Sequence, residues 1–227
     1  MEVNFKKEDK ILVVTPHQDD ESIGCGGLLA LYGEQCDVLL LTDGSLGNIE
    51  QYNDTDKLIS IRNSEFEKAT KIAKVNNTYS LGIKNNELYK NKDVVRKFDI
   101  SSYDYIFVPN RHEEQDDHKV VYSIIKSMKH KGKIYEYEVW TPLARPSWFL
   151  DISKVIKTKE KMISQYKSQL ANKNYLDATI GLNKYRGLYN NYEYAEAYAY
   201  SNYNEFTEKV YNLMPEFIKN IIKKIIK

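Results

Sequence analysis

The chain has 227 residues, enough for one α/β domain with a full core. Its 33 basic and 32 acidic side chains nearly cancel, and a net charge of +1 gives no general basis for nucleic-acid binding. No apolar run reaches the length of a membrane span, Met1 to Lys6 lacks the apolar core of a signal peptide, and Cys25 and Cys36 suggest no disulfide framework, so a cytoplasmic protein is expected.

The apolar run Ile11-Leu12-Val13-Val14 predicts a buried strand over 11–15. Pro16-His17-Gln18-Asp19-Asp20-Glu21 follows at once. Ionised groups at the end of a buried strand need a partner or a metal. His17 and Asp20 are three apart, so both can face one side of a turn, as two ligands of one ion must. Asp19, between them, can point at a water beside that ion. Capping of the next helix accounts for one or two of the acids, but not for the histidine.

A helix is expected over 23–34. Gly24-x-Gly26-Gly27 at its start lacks the G-x-G-x-x-G spacing, and the acids before it would repel a pyrophosphate. These glycines are read as allowing close helix–strand approach, and Cys25 as packed rather than ligating. A strand over 37–42, a loop over 43–54 and a helix over 55–75 come next. Asp43, Gly44 and Arg62 are candidates to line a substrate pocket, where Arg62 could hold a hydroxyl, phosphate or carboxylate. Arg62 could equally pair with Glu65 along its helix. Then come a strand over 78–81, a helix over 90–98 and a strand over 104–108. That last strand opens into Asn110-Arg111-His112-Glu113-Glu114-Gln115-Asp116-Asp117-His118, a helix over 118–130 and a strand over 133–140. Past Pro146 the pattern changes to a short strand, Trp148-Phe149-Leu150, and polar helices over 154–170 and 177–189. The aromatics at 137, 140, 148, 185 and 189 could stack on a sugar, but nothing singles one out.

Strands alternating with helices argue for βαβ units and a mostly parallel, Rossmann-like α/β sheet flanked by helices. Ligands in such sheets gather beyond the carboxyl ends of the strands. The two polar loops would meet there. His17, Asp20 and one histidine of the second loop then make a metal site with an open position, which is a catalytic arrangement.

These residues carry a family resemblance. Pro16-His17-x-Asp19-Asp20-Glu21 resembles the (P/A)-H-P-D-D-E motif of the PIG-L/LmbE-like zinc-dependent N-acetylsugar deacetylases, and Gln115-Asp116-Asp117-His118 sits where that family has H-x-D-H. Leu41-Thr42-Asp43-Gly44, Arg62-x-x-Glu65-x-x-x-Ala69, Tyr166-Lys167-Ser168-Gln169 and Tyr194-Ala195-Glu196-Ala197 resemble further elements of the family in the same order. The likeness spans roughly residues 9 to 200. It departs at Gln18, which replaces a proline, and at Gln115, which replaces a histidine.

The resemblance implies Zn2+, or another divalent transition metal, held by His17, Asp20 and His118. It implies Asp19 as general base, taking the proton of a water made acidic by that metal. Gln115 would donate a hydrogen bond to the oxyanion but cannot supply a proton, and His112 is the alternative donor from the same loop. Asp117 would orient a histidine or cap the helix beginning near His118. Asp43, Gly44, Arg62 and His112 are placed around the substrate, a small-molecule or lipid-linked amino sugar. An esterase on the same metal, or a sugar-binding module without turnover, are the alternatives. The last segment, helical from about 203 to 227, alternates apolar pairs with lysines after Pro215. It could lie on an anionic membrane surface or pack on this domain or a second copy.

Overall fold

The computed structural model describes residues 3–52 and 54–201, with Met214, Pro215 and Ile218 beyond them. The strands are β1 (Ile11–Thr15), β2 (Cys36–Thr42), β3 (Asn77–Ile83), β4 (Tyr105–Pro109), β5 (Lys133–Tyr137), β6 (Trp148–Asp151) and β7 (Ala195–Tyr200). The helices are α1 (Asp20–Tyr32), α2 (Ile49–Tyr52), α3 (Thr55–Ile72), α4 (Lys92–Arg96), α5 (Asp116–Ser127), α6 (Ile156–Ile163), α7 (Lys167–Leu170) and α8 (Tyr175–Gly187). One seven-stranded sheet runs in the order β3-β2-β1-β4-β5-β7-β6. The first five strands in that order are parallel; β7 pairs antiparallel with β5, and β6 antiparallel with β7.

Ile11 to Val14 are fully buried, as an unbroken apolar run on a central parallel strand must be when both faces are covered. Ile11 and Val13 pack with Leu28, Phe66 and Met162, from α1, α3 and α6. Leu12 and Val14 face the other way, to Leu88, Val95, Val121 and Ile125. The chain builds outward from β1 through β2 to β3, then returns to lay β4 on the other side of β1. The loops after β1 and β4 therefore part in opposite directions, and a crevice opens between them.

Some boundaries differ from the sequence expectation. α1 begins at Asp20, three residues early, because the Asp19 carbonyl already accepts the N–H groups of Ser22 and Ile23. The expected helix over 154–170 is two, α6 and α7, parted by the bend at Ser164–Tyr166. β7 was not expected as a strand. Its sequence, Ala-Glu-Ala-Tyr-Ala-Tyr, has three alanines, which carry little strand signal. The basic segment from about 203 to 227 lies outside the described residues, apart from three. Among the described residues no helix is long and apolar enough to cross a membrane.

α1 carries the charged loop's acids, and its seat is close. A Cβ on Gly24 would lie 2.2 Å from the Tyr137 ring, and one on Gly27 would lie 2.3 Å from Ile152. Glu196 of β7 then locks the helix. Its carboxylate accepts the N–H groups of Gly27 at 2.6 Å and Leu28 at 2.8 Å, the Tyr198 hydroxyl at 2.7 Å, and the Lys159 ammonium at 2.6 Å. Lys159 and Glu196 are at most 1 % exposed, so neither charge has water to fall back on. Removing one member of a buried pair strands the other. Glu196→Ala is expected to lower stability by about 3–5 kcal/mol, read by denaturant unfolding. A loss of about 1 kcal/mol or less, the scale of an exposed ion pair, would show that Lys159 finds water in the folded chain.

Candidate active site

β1 ends at Thr15, and the next four residues turn sharply into α1. Asp19 takes φ +114°, a region that side-chain-bearing residues rarely occupy and that costs of order 1–3 kcal/mol. Its N–H is tied to Glu21 Oε2 at 3.1 Å, while Glu21 Oε1 accepts the hydroxyls of Ser22 and Tyr166. Glu21 is therefore a buried strut that holds the turn. Arg62, 3 % exposed, reaches the turn from α3. Its Nη2 donates to the Gln18 carbonyl at 2.6 Å and lies 3.5 Å from Asp19 Oδ1, and its Nη1 donates to the Gly44 carbonyl at 3.2 Å. The sequence option of an Arg62–Glu65 pair is not realised. Glu65 instead accepts the N–H and hydroxyl of Ser168, tying α3 to α7.

The second loop arrives from β4. His118, on the first turn of α5, is fully buried. Its Nε2 lies 3.2 Å from His17 Nδ1 and 3.1 Å from Asp20 Oδ2, and His17 Nδ1 lies 3.3 Å from the same Asp20 oxygen. Three ligand atoms thus form a near-equilateral triangle. Ligands at tetrahedral corners about 2.0–2.2 Å from a zinc ion stand about 3.4 Å apart, so the triangle already fits a divalent cation. Two imidazole nitrogens and a carboxylate are also the donor set such an ion takes. Cys25, buried in the core beneath, is no part of the cluster.

The surrounding groups aim these ligands. Asp117 Oδ2 lies 3.2 Å from His17 Nε2 and accepts the Asn86 N–H at 2.8 Å, so it fixes which His17 nitrogen faces the triangle. Asp117 sits inside the first turn of α5. The N-cap is Gln115, so Asp117 is not the cap. Glu113 Oε2 lies 4.0 Å from His118 Nδ1, and Glu113 accepts the backbone N–H groups of Val139, Trp140 and Thr141. Sequence reasoning passed over Glu113 because nothing local distinguishes it from Glu114 beside it.

Charge is crowded here. Burial pushes the Asp19 carboxyl up to about 8; Arg62 opposes this and Asp20 adds to it. Burial also acts upward on Asp20, but the adjoining His118 and His17 hold it well below the usual carboxylate range. Burial acts downward on His17, yet its bonds to Asp117 and Asp20 lift it to about 9.

The crevice is a cleft of about 360 Å³. His17, Asp19, Asp20, Arg62, Gln115 and Asp117 line it, while His118, fully buried, does not. His112 is exposed and does not line it, nor do Asp43 and Gly44. Asp43 instead accepts the N–H groups of Ser45 and Asn85, and Gly44, at φ +75°, leaves room for the Gln18 side chain. Leu46 and Gly47, from the loop that carries Asp43 and Gly44, line it with Gln169 and Trp140, and the sequence did not single out the other wall residues Asn48, Asn85, Asn86, Asn172 and Tyr175. Asn85 Oδ1 is buried with no hydrogen-bond partner. These residues come from segments far apart in the chain, so no local motif announces them.

Fold and site together define an α/β protein whose crevice brings a His-Asp-His cluster able to hold a metal ion together with the Asp19 carboxylate. The chain belongs to the PIG-L family, described as GlcNAc-PI de-N-acetylase, which residues 12–129 match over just more than half its length. No curated protein matches it. Among solved structures it is similar to the N,N'-diacetylchitobiose deacetylase of Pyrococcus horikoshii, at 20 % identity and TM-score 0.70 over 85 % of this chain and 83 % of that one. It is similar to GalB, the 4-carboxy-2-hydroxymuconate hydratase of Pseudomonas putida KT2440, at 19 % identity and TM-score 0.67 over 86 % and 97 %. It is also similar to the zinc-inhibited form of the teicoplanin deacetylase Orf2, at 14 % identity and TM-score 0.60 over 86 % and 100 %.

A metal entering the triangle must displace the His17 proton. Below pH 9 the apparent affinity for Zn2+ is therefore expected to weaken by about tenfold per pH unit, with at least one proton released per ion. Metal titrations from pH 6.5 to 9, in buffers of different ionisation heat, measure both. An affinity independent of pH over that span would mean that His17 is not displaced.

Proposed function

We propose that this protein is a metal-dependent hydrolase that removes the N-acetyl group from an N-acetylated amino sugar or its conjugate. The observation that carries the reading is the His17–Asp20–His118 triangle, with unligated Asp19 beside it at the mouth of a polar cleft. Family membership supports the same reading. Zinc, held by the triangle, would supply Lewis acidity, making water acidic and polarising the acetamide carbonyl.

The chain's own groups supply the rest. Asp19 accepts the proton of the attacking water and, as the C–N bond breaks, returns it to the departing nitrogen. Burial raises the Asp19 carboxyl, which strengthens it as a base toward the water proton. Arg62 keeps the strained Asp19 turn in place by gripping the Gln18 and Gly44 carbonyls. Asp117 holds the His17 ring. Gln115, exposed at the cleft edge, can donate an amide hydrogen bond to the oxyanion that forms at the carbonyl. The Asn172 amide and the side-chain carbonyls of Asn48 and Gln169, on the cleft wall, suit sugar hydroxyls.

Asp19→Asn is the decisive variant. Asparagine tolerates positive φ and is nearly the same size, so the turn should form and metal binding should persist. It cannot take a proton. Acetate release from N-acetylated sugars is expected to fall by about 10² to 10⁴ in kcat, with KM little changed. Loss of metal along with activity would make Asp19 a ligand. Activity within a few-fold of the parent would remove it from the mechanism.

A further inference from the structure

A second cavity, of about 240 Å³, lies against the cleft. Trp140 and Tyr175 line both, their rings edge to face at 4.9 Å. The two spaces differ in chemistry. The second is walled by Ile23, Val139, Pro142, Leu182 and Ala197. Two carboxylates reach it, but both are engaged. Glu138 pairs with Arg186 and accepts the Leu143 N–H, and Glu196 is held by Lys159 and α1. Asn183, 4 % exposed, donates through Nδ2 to the Ala195 carbonyl at 3.0 Å, so its amide is engaged as well.

Its place relative to the reacting centre is defined. Ile23 follows Asp20 by three residues on α1, so the two side chains lie about one turn apart. Val139 and Trp140 donate their N–H groups to Glu113, which lies 4.0 Å from His118 Nδ1. An amide held at the triangle has two arms. The nitrogen carries the sugar, whose hydroxyls suit the polar cleft. The carbonyl carbon carries the acyl group, and an acetyl methyl is far too small for a space of this size.

We propose that the second cavity receives an acyl chain longer than acetyl, so that the substrate class includes amino sugars N-acylated with several methylenes. This rests on the hydrolase reading above and names the acyl side of its substrate. The reaction stays a hydrolysis: water adds to the carbonyl carbon, the C–N bond breaks, and a carboxylate and a protonated amine leave. No other reactant is needed.

Amine release from N-acetyl-, N-butanoyl- and N-hexanoylglucosamine by the zinc-loaded protein tests this, with octyl N-acetylglucosaminide as the comparison for an apolar group on the sugar. Each methylene that fits an apolar pocket is worth about tenfold or more in discrimination, so kcat/KM for hexanoyl should exceed that for acetyl at least tenfold. Ala178→Phe places a ring at the cavity rim, where Ala178 is exposed and the fold tolerates it, and should cut the hexanoyl-to-acetyl ratio at least fivefold. Turnover of the acetyl sugar with a flat or falling acyl series overturns the proposal. So does a preference for the octyl glycoside alone, which would give the cavity to the aglycone. No amine from any substrate overturns the hydrolase reading itself, and binding then decides the cavity. By calorimetry N-hexanoylglucosamine should bind at least tenfold tighter than N-acetylglucosamine, and equal dissociation constants overturn the assignment.

Discussion

The structure depends on concentrating negative charge where two parallel strands end. Asp19, Asp20 and Asp117 face one crevice, with Glu21 and Glu113 buried beside it. Such a group of carboxylates cannot stay ionised in a dry interior without a cation. The protein offers two, one permanent and one exchangeable. Arg62 is permanent and sits beside Asp19. The second would stand between His17, His118 and Asp20, as a proton on His17 or as a metal ion. The three ligand atoms there have the spacing of a metal's corners.

Holding this arrangement consumes much of the surrounding architecture. Asp19 is strained, and strain persists only where neighbours over-determine it. Glu21, Tyr166, Ser22 and Arg62 do so from α1, the α6–α7 bend and α3. α1 is in turn fixed by Glu196 from β7, through amides in the middle of the helix. A buried ion pair outside the cleft lining thus helps to set where Asp20 stands. The antiparallel strands β6 and β7 also extend the sheet on the side where Trp140, Tyr175 and the second cavity lie.

Much of this was legible in the sequence, for physical reasons. An unbroken apolar run that turns at once into His17, Asp19 and Asp20 has few explanations, and the second loop repeats the pattern. The parallel core followed from the alternation of short strands and helices. What stayed hidden depended on tertiary contact. Arg62 and Glu65 share a helix spacing that suits a mutual pair, yet each turns to a different loop. Asp43 and Gly44 resembled pocket residues but serve the turn beneath the pocket. His112 lies in the right loop and points away from the cleft, whereas Glu113, one residue on, lies against His118. β7 was unreadable because alanines carry little strand signal, and its Glu196 had no visible partner until Lys159 and α1 were placed beside it.

The fold alone does not fix the reaction, since one similar structure is that of a hydratase. The argument for hydrolysis must come from the protons. Amide cleavage needs one proton removed from water and one delivered to nitrogen. The family's usual histidine at the Gln115 position would give a second titrating group for the delivery. Glutamine cannot act so, which first reads as a loss of function. It is not one if a single carboxylate does both. Burial raises the Asp19 carboxyl, and Arg62 lies 3.5 Å from it. In the proposed reaction the proton it takes from water is the one the nitrogen needs, so the balance closes within one residue. Gln115 is then left with a task an amide can perform, donating a hydrogen bond to the oxyanion without regard to pH.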